Sequence, residues 1–353
     1  MGDLLAATTD LIAVPSLSRE EDALAGLVHK ALEDCPWLQV DRIGDNVVAR
    51  TSLDRSQRLV LAGHLDTVPP NANEVPRVEG DTVWGLGASD MKGTLAVMLD
   101  LATTVREPSV DVTWCFYARE EIGRDESGLV ELWERHPDLL AGDAAVLGEP
   151  TSSLVEAGCQ GTMRVRITLR GVRAHSARPF AGRNAIHRLL PLLQRVVEWP
   201  GRTVVIDGCA YAEQLQVVSV EGGVAANVVP DEVRITLNHR YAPDRSLPEA
   251  HAFLHELLDP AIEPGSGDSW ELLDAGDGAP PSLDHPLLAR LLDKSGAPPK
   301  AKVGWTDVAS FFEHGVPAAN FGAGDPLLAH HPDERVSREE LDRAHNVLAA
   351  LIT

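Results

Sequence analysis

The stretch Leu59-Val60-Leu61-Ala62-Gly63-His64-Leu65-Asp66-Thr67-Val68-Pro69 decides how the chain is read. A short aliphatic run, too brief for a helix, predicts a buried strand. It hands over at once to His64 and Asp66, which puts a metal-ligand type at the carboxyl end of that strand. Ligands of open α/β sheets gather at such ends. Taken alone, the pair could equally be a buried imidazole beside a turn aspartate. What decides between the two is how the neighbouring strands end.

Those strands end alike. Val110 to Tyr117 reads as a buried strand and delivers Ala118-Arg119-Glu120-Glu121-Ile122-Gly123, and Ala144 to Leu147 delivers Gly148-Glu149-Pro150-Thr151. The glycine-rich run Trp84-Gly85-Leu86-Gly87-Ala88-Ser89-Asp90-Met91-Lys92-Gly93 leads into a helix over 94–105, and a later loop carries His330 and His331. A dinucleotide loop does not fit this run, because the glycine spacing departs from the fingerprint and an acidic turn would repel a pyrophosphate. Two histidines with three or four carboxylates in one crevice suit two divalent cations bound through N and O. Without cations, so many carboxylates would repel one another.

The remaining chain reads as two domains. Helices over Leu4 to Ile12 and Glu20 to Leu32 and a strand over Asn46 to Arg50 precede the opening run. After Gly161 the pattern changes, since Met163 to Leu169 alternates apolar with charged residues. Helix Asn184 to Glu198, strands Gln214 to Val220 and Glu232 to Arg240, helix Pro248 to Leu258 and strand Ser269 to Leu273 follow, the split βαβ order of a ferredoxin-like unit. Ser246 with Glu249, and Ser337 with Glu340, are spaced as helix-start capping boxes. Helix Leu287 to Lys294, strand Val316 to Phe321 and a last helix to about Leu351 complete the first domain. The expected fold is α/β: residues 1–161 and 277–353 form a catalytic domain on a mixed, mostly parallel sheet, interrupted by an α+β insertion over 162–276.

Charge narrows the partners. Against 31 Lys and Arg stand 53 Asp and Glu, a net charge of −22 that repels nucleic acid and anionic membranes. No apolar run approaches a membrane span and the first residues lack a secretory pattern, so a cytoplasmic protein is expected. Cys35, Cys115, Cys159 and Cys209 show no metal-type spacing and read as free thiols.

His64 to Pro69, Gly87 to Gly93, Glu120-Glu121 before Gly123, and Gly148 to Thr151 together resemble the co-catalytic zinc family of acetylornithine deacetylase, carboxypeptidase G-type enzymes and aminoacylase. Gly171, His175, Ser176, Gly222-Gly223, Asn227 to Pro230 and Arg240 match in the same order, so the resemblance runs nearly full length. It implies that Asp90 bridges two zinc ions (cobalt or manganese being possible substitutes), with His64 and Glu149 on one and Glu121 and His330 on the other; the adjacent His331 is the alternative. It implies that Asp66 holds the His64 ring, and that Glu120 is general base and acid as a metal-bridging hydroxide attacks an amide. It further implies a homodimer whose insertion serves dimerisation and acts as a lid, with His175 reaching the partner's active site. Arg240 and Asn227 would bind a substrate carboxylate, with Arg178 and Arg183 as further candidates. Thr306, Ser310 and Gly322 would line the opposite wall. The implied substrate is an anionic N-acyl amino acid, N-succinyl-L,L-2,6-diaminopimelate, cleaved to succinate and L,L-diaminopimelate. Acetylornithine-type deacylation and dipeptide cleavage are the alternatives on the same scaffold.

Overall fold

The computed structural model describes residues 2–263 and 265–353 and places Arg58–His64 fourth in an eight-stranded sheet. It runs parallel to Asp111–Tyr117 on one side and to Ala144–Leu147 on the other, and Ala318–Asn320 extends the parallel set. These four strands are buried along nearly their whole length, which is why they read as short, largely apolar runs without alternation. Antiparallel strands flank them: Gln39–Ile43 and Asn46–Arg50 at one side, Glu156–Ala157 at the other. The sheet is thus mixed with a parallel centre, and four carboxyl ends lie along one edge.

Helices Leu4–Ile12, Asp22–Glu33, Gly93–Thr104, Pro286–Ser295 and Arg338–Ile352 contribute Leu5, Leu24, Val28, Leu95, Met98, Leu288 and Leu348 to the core of this sheet. The capping boxes at Ser246 and Ser337 are both closed, each contributing about 1 kcal/mol to its helix. A small sheet was not expected: Arg77–Glu79 pairs with Thr82–Trp84, which pairs in turn with Arg335–Ser337. Three-residue strands carry no usable periodicity.

Contacts divide the chain into two units. The first holds the residues up to Ala157, Pro281–Lys300 and Ser310–Thr353, and the second Gly158–Pro280 and Ala301–Ala309. The expected boundaries therefore shift by a few residues. The excursion Ala301–Ala309 joins the second unit because Gln160 N donates to Gly304 O (3.1 Å) and Trp305 Nε1 donates to Asp277 O (3.1 Å).

In the second unit the sheet order is Gln214–Gly222, Glu232–Tyr241, Gly161–Arg170, Ser269–Gly276, with every neighbour antiparallel. Helices Leu189–Glu198 and Leu247–Leu258 complete the ferredoxin-like arrangement. The unit begins and ends at one place, where Cys159 and Ala279 exchange both backbone hydrogen bonds (2.9 and 3.1 Å). An unforeseen hairpin, Thr203–Ile206 with Cys209–Ala212, turns on Asp207-Gly208. Both turn residues have positive φ (48° and 80°), so this Asp-Gly is a hairpin signal the sequence did contain.

Candidate metal centre

His64 ends its strand fully buried, with Nδ1 3.0 Å from the main-chain oxygen of Asp66 and Nε2 3.1 Å from Asp90 Oδ1. The carbonyl accepts a hydrogen bond from Nδ1–H, which leaves Nε2 as the ring nitrogen turned to the site. Asp90 presents its other oxygen, Oδ2, to His330 Nε2 at 3.5 Å, and that nitrogen is 2.9 Å from Glu121 Oε1. One carboxylate thus faces two imidazoles, one on each oxygen. Two sets of possible ligand atoms result: His64 with Glu120 and Glu121, and Asp90 with Glu121 and His330. Glu149 follows the strand Ala144–Leu147 and is buried, but belongs to neither set. His331 is turned onto its own loop, its Nδ1 accepting from Asp333 N (3.1 Å).

Electrostatics follow from this crowding. The Asp90 and Glu121 carboxylates raise the His330 pKa to about 10, against burial. Burial opposes charge on His64, yet Asp66 and Asp90 outweigh it and hold the pKa well above the ordinary value. Burial likewise opposes ionisation of Asp90, and the two imidazoles outweigh it and lower its pKa. Carboxylates that favour positive charge on both rings in this way would favour a bound cation in the same place.

Asp66 departs from expectation. Its carboxylate lies 3.6 Å from His64 Nδ1, too far for a hydrogen bond, because the Asp66 carbonyl already occupies that nitrogen. The carboxylate instead accepts from the amides of Glu120 (2.9 Å) and Glu121 (3.0 Å) and from the Ser18 hydroxyl (2.7 Å). It aims the glutamate pair, while its main chain aims the imidazole. Glu21, unremarked in the sequence, adds to this turn by accepting from Arg119 N (3.0 Å), whose φ is +63°.

Asp90 sits in a distorted helical turn, Ala88–Lys92, that feeds Gly93–Thr104 rather than at the end of a central strand. Met91 seats that turn on the sheet. Its sulfur accepts from His64 N (3.3 Å), and a Cβ at Gly63 or Gly148 would stand 2.4 or 2.3 Å from its terminal carbon. The two glycines immediately precede His64 and Glu149, so it is the absence of a Cβ at both that lets one methyl fit there.

The wall residues divide between the two units, Ser310 and Gly322 in the first and Thr306 in the second. Gly322 is tied on both sides, its N–H donating to Thr151 Oγ1 (3.1 Å) and its carbonyl accepting from Ser153 N (2.9 Å). A Cβ there would meet Gly148 O at 2.4 Å and Glu149 O at 2.6 Å, so its role is to let two loops approach. Ser310, in the first unit, is buried. Thr306, Arg240, Asn227 and His175 belong to the second unit. Thr306 is buried; Arg240 is half-buried with Nε donating to Asn238 Oδ1 (3.1 Å), and burial lowers its pKa. Asn227 and His175 are exposed on paired segments, the Asn227 carbonyl accepting from Ser176 N at 2.9 Å. Arg183 is committed to Glu263.

Residues 60–353 match peptidase family M20/M25/M40. The chain belongs to that family. It is 42% identical to the succinyl-diaminopimelate desuccinylase of Corynebacterium glutamicum (97% of this chain and 94% of that one). It is 46% identical to a Mycobacterium tuberculosis H37Rv protein designated DapE (98% and 97%). Among solved structures it resembles the M20 family metallo-carboxypeptidase Sso-CP2 from Sulfolobus solfataricus, with a TM-score of 0.80 at 18% identity over 99% and 98% of the two chains.

Proposed function

We propose that this chain is a cytoplasmic dinuclear zinc amidohydrolase that cleaves N-succinyl-L,L-2,6-diaminopimelate to succinate and L,L-diaminopimelate. The carrying observation is Asp90, whose two oxygens face His64 and His330 separately, as a bridging carboxylate requires. The substrate rests on the Corynebacterium glutamicum relative.

Asp90 would be the shared ligand, with His64 and Glu149 holding one cation and Glu121 and His330 the other. Bound cations acidify water and polarise an amide carbonyl. Glu120, its amide fixed on Asp66, takes a proton from the water and returns it to the leaving amine. His175 is the donor for the developing oxyanion. Its Nδ1 accepts from Ala177 N (3.1 Å), so the neutral ring carries its hydrogen on Nε2. That donor comes from His175 of the partner subunit, in a homodimer formed through the second unit. Exposed Leu190, Val197, Val205, Val218 and Val220 of that unit support an interface there. The Arg240 fork and Asn227 receive a substrate carboxylate.

Zinc-loaded protein should hydrolyse N-succinyl-diaminopimelate in clear preference to N-acetylornithine. The opposite preference would overturn the substrate and leave the chemistry standing. Glu120→Ala should abolish turnover with two zinc ions retained, and turnover that survives would remove Glu120 from its role. Mixing Glu120→Ala with His175→Ala chains should restore part of the activity, and silent hybrid dimers would refute the sharing of His175.

A further inference from the structure

We propose that Glu334 is a positioning residue that fixes Asp90 against the His330 loop, so that one carboxylate sets the geometry of both metal sites. The inference rests on the dinuclear reading of the centre. Glu334 is 1% exposed and accepts three backbone amides of a single turn: Gly87 (3.1 Å), Ser89 (3.0 Å) and Asp90 (2.9 Å). Those amides need such an acceptor. Asp90 and Met91 leave helical geometry (φ −118°, ψ 89°; φ −133°, ψ 32°), and amides at the start of a helical segment have no acceptor one turn back.

Glu334 is itself anchored on both sides. Its amide donates to His331 O (3.0 Å) and its carbonyl accepts from Gly85 N (3.0 Å), while Ser89 Oγ donates to Arg335 O (2.7 Å). Beyond it, Arg335–Ser337 pairs with Thr82–Trp84. The segment bearing His330 is therefore stitched along the segment bearing Asp90, although Asp90 and Glu334 are 244 residues apart. Glu334 stands outside both sets of possible ligands, its oxygens being taken by amides, so it acts on the metals only through Asp90 and His330. Glutamine would turn an N–H donor towards one of the amides, and aspartate is one methylene too short to span them.

The test uses metal-free wild type, E334Q and E334D, with hydrogen exchange read over residues 86–91 and zinc titrated as the metal alone. Both variants should lose protection at 86–91 while second-unit strands keep theirs, and zinc affinity should fall by about 10–100-fold, the usual cost of removing a group that orients a ligand. Wild-type protection and zinc affinity in both variants would overturn the proposal. So would an E334Q that behaves as wild type, since a donor turned towards these amides would then cost nothing. Should a variant fail to fold, the wild type decides alone: the Ser89 and Asp90 amides must exchange as slowly as those of Arg58–His64, and fast exchange refutes the lock. A wild type that binds no zinc would overturn the dinuclear reading, and exchange on the metal-free chain would still judge Glu334.

Discussion

Asp66 shows how finely residue roles divide within one turn. Its main-chain oxygen holds the His64 ring, and its carboxylate holds the amides of Glu120 and Glu121. Asp66→Asn replaces one acceptor with a donor facing an N–H or the Ser18 hydroxyl but leaves the carbonyl in place. Turnover should fall by about 10–100-fold, with zinc affinity changed little. A zinc titration checks this, and a loss as deep as that of His64→Ala would return the aiming of the ring to the carboxylate. The sequence marks His64, Asp90, the glutamate pair and His330 because each follows an aliphatic run or a glycine turn. It could not show which atom of Asp66 reaches Nδ1, a difference of 0.6 Å between 3.0 and 3.6 Å. Nor could it show what Glu334 binds, since the four-residue step from His330 is visible but the partners lie far back in the chain.

Whole elements were legible where burial imposes a period and obscure where it does not. The four parallel strands and the long helices fall within a few residues of expectation, and the missed pieces are short, at edges, or bound by distant contacts. The strand Glu232–Tyr241 also carries a liability. His239 is completely buried among Trp199, Tyr241 and Phe253, and among the described residues neither ring nitrogen has a hydrogen-bond partner. Burial lowers its pKa to about 4, with Arg245 and Arg202 also opposing its charge and Glu213 favouring it. The folded chain then resists a proton that the unfolded chain accepts near pH 6.5. Stability is complete above that pH and is lost as pH falls from about 6.5 to 4, by on the order of 3 kcal/mol. His239→Phe should flatten that stretch of the stability curve and raise stability at neutral pH, as read by denaturant unfolding across the pH range. An unchanged slope would assign the acid loss elsewhere.

At the scale of the molecule, every proposed metal ligand, from His64 to His330, lies in the first unit. A metal ion held by these ligands would bind the folded form of that unit alone, and at 100 times its dissociation constant it would add about 2.7 kcal/mol. Calorimetry should therefore show chelation lowering the transition of the first unit while that of the second stays in place, and equal shifts in both would refute the division. No helix among the described residues is long and apolar enough to cross a membrane. The boundary between the units was only partly legible, because Ala301–Ala309 returns to the second unit with no change of composition to announce it. The pairing of Cys159 with Ala279 has a consequence for the order of events during synthesis. The second unit closes on itself within the first 309 residues, whereas the first unit waits for Ala318–Asn320 and Arg338–Ile352, which are made later. A nascent chain therefore carries a finished insertion beside an open, aliphatic sheet, and it is the unfinished sheet that a chaperone would hold.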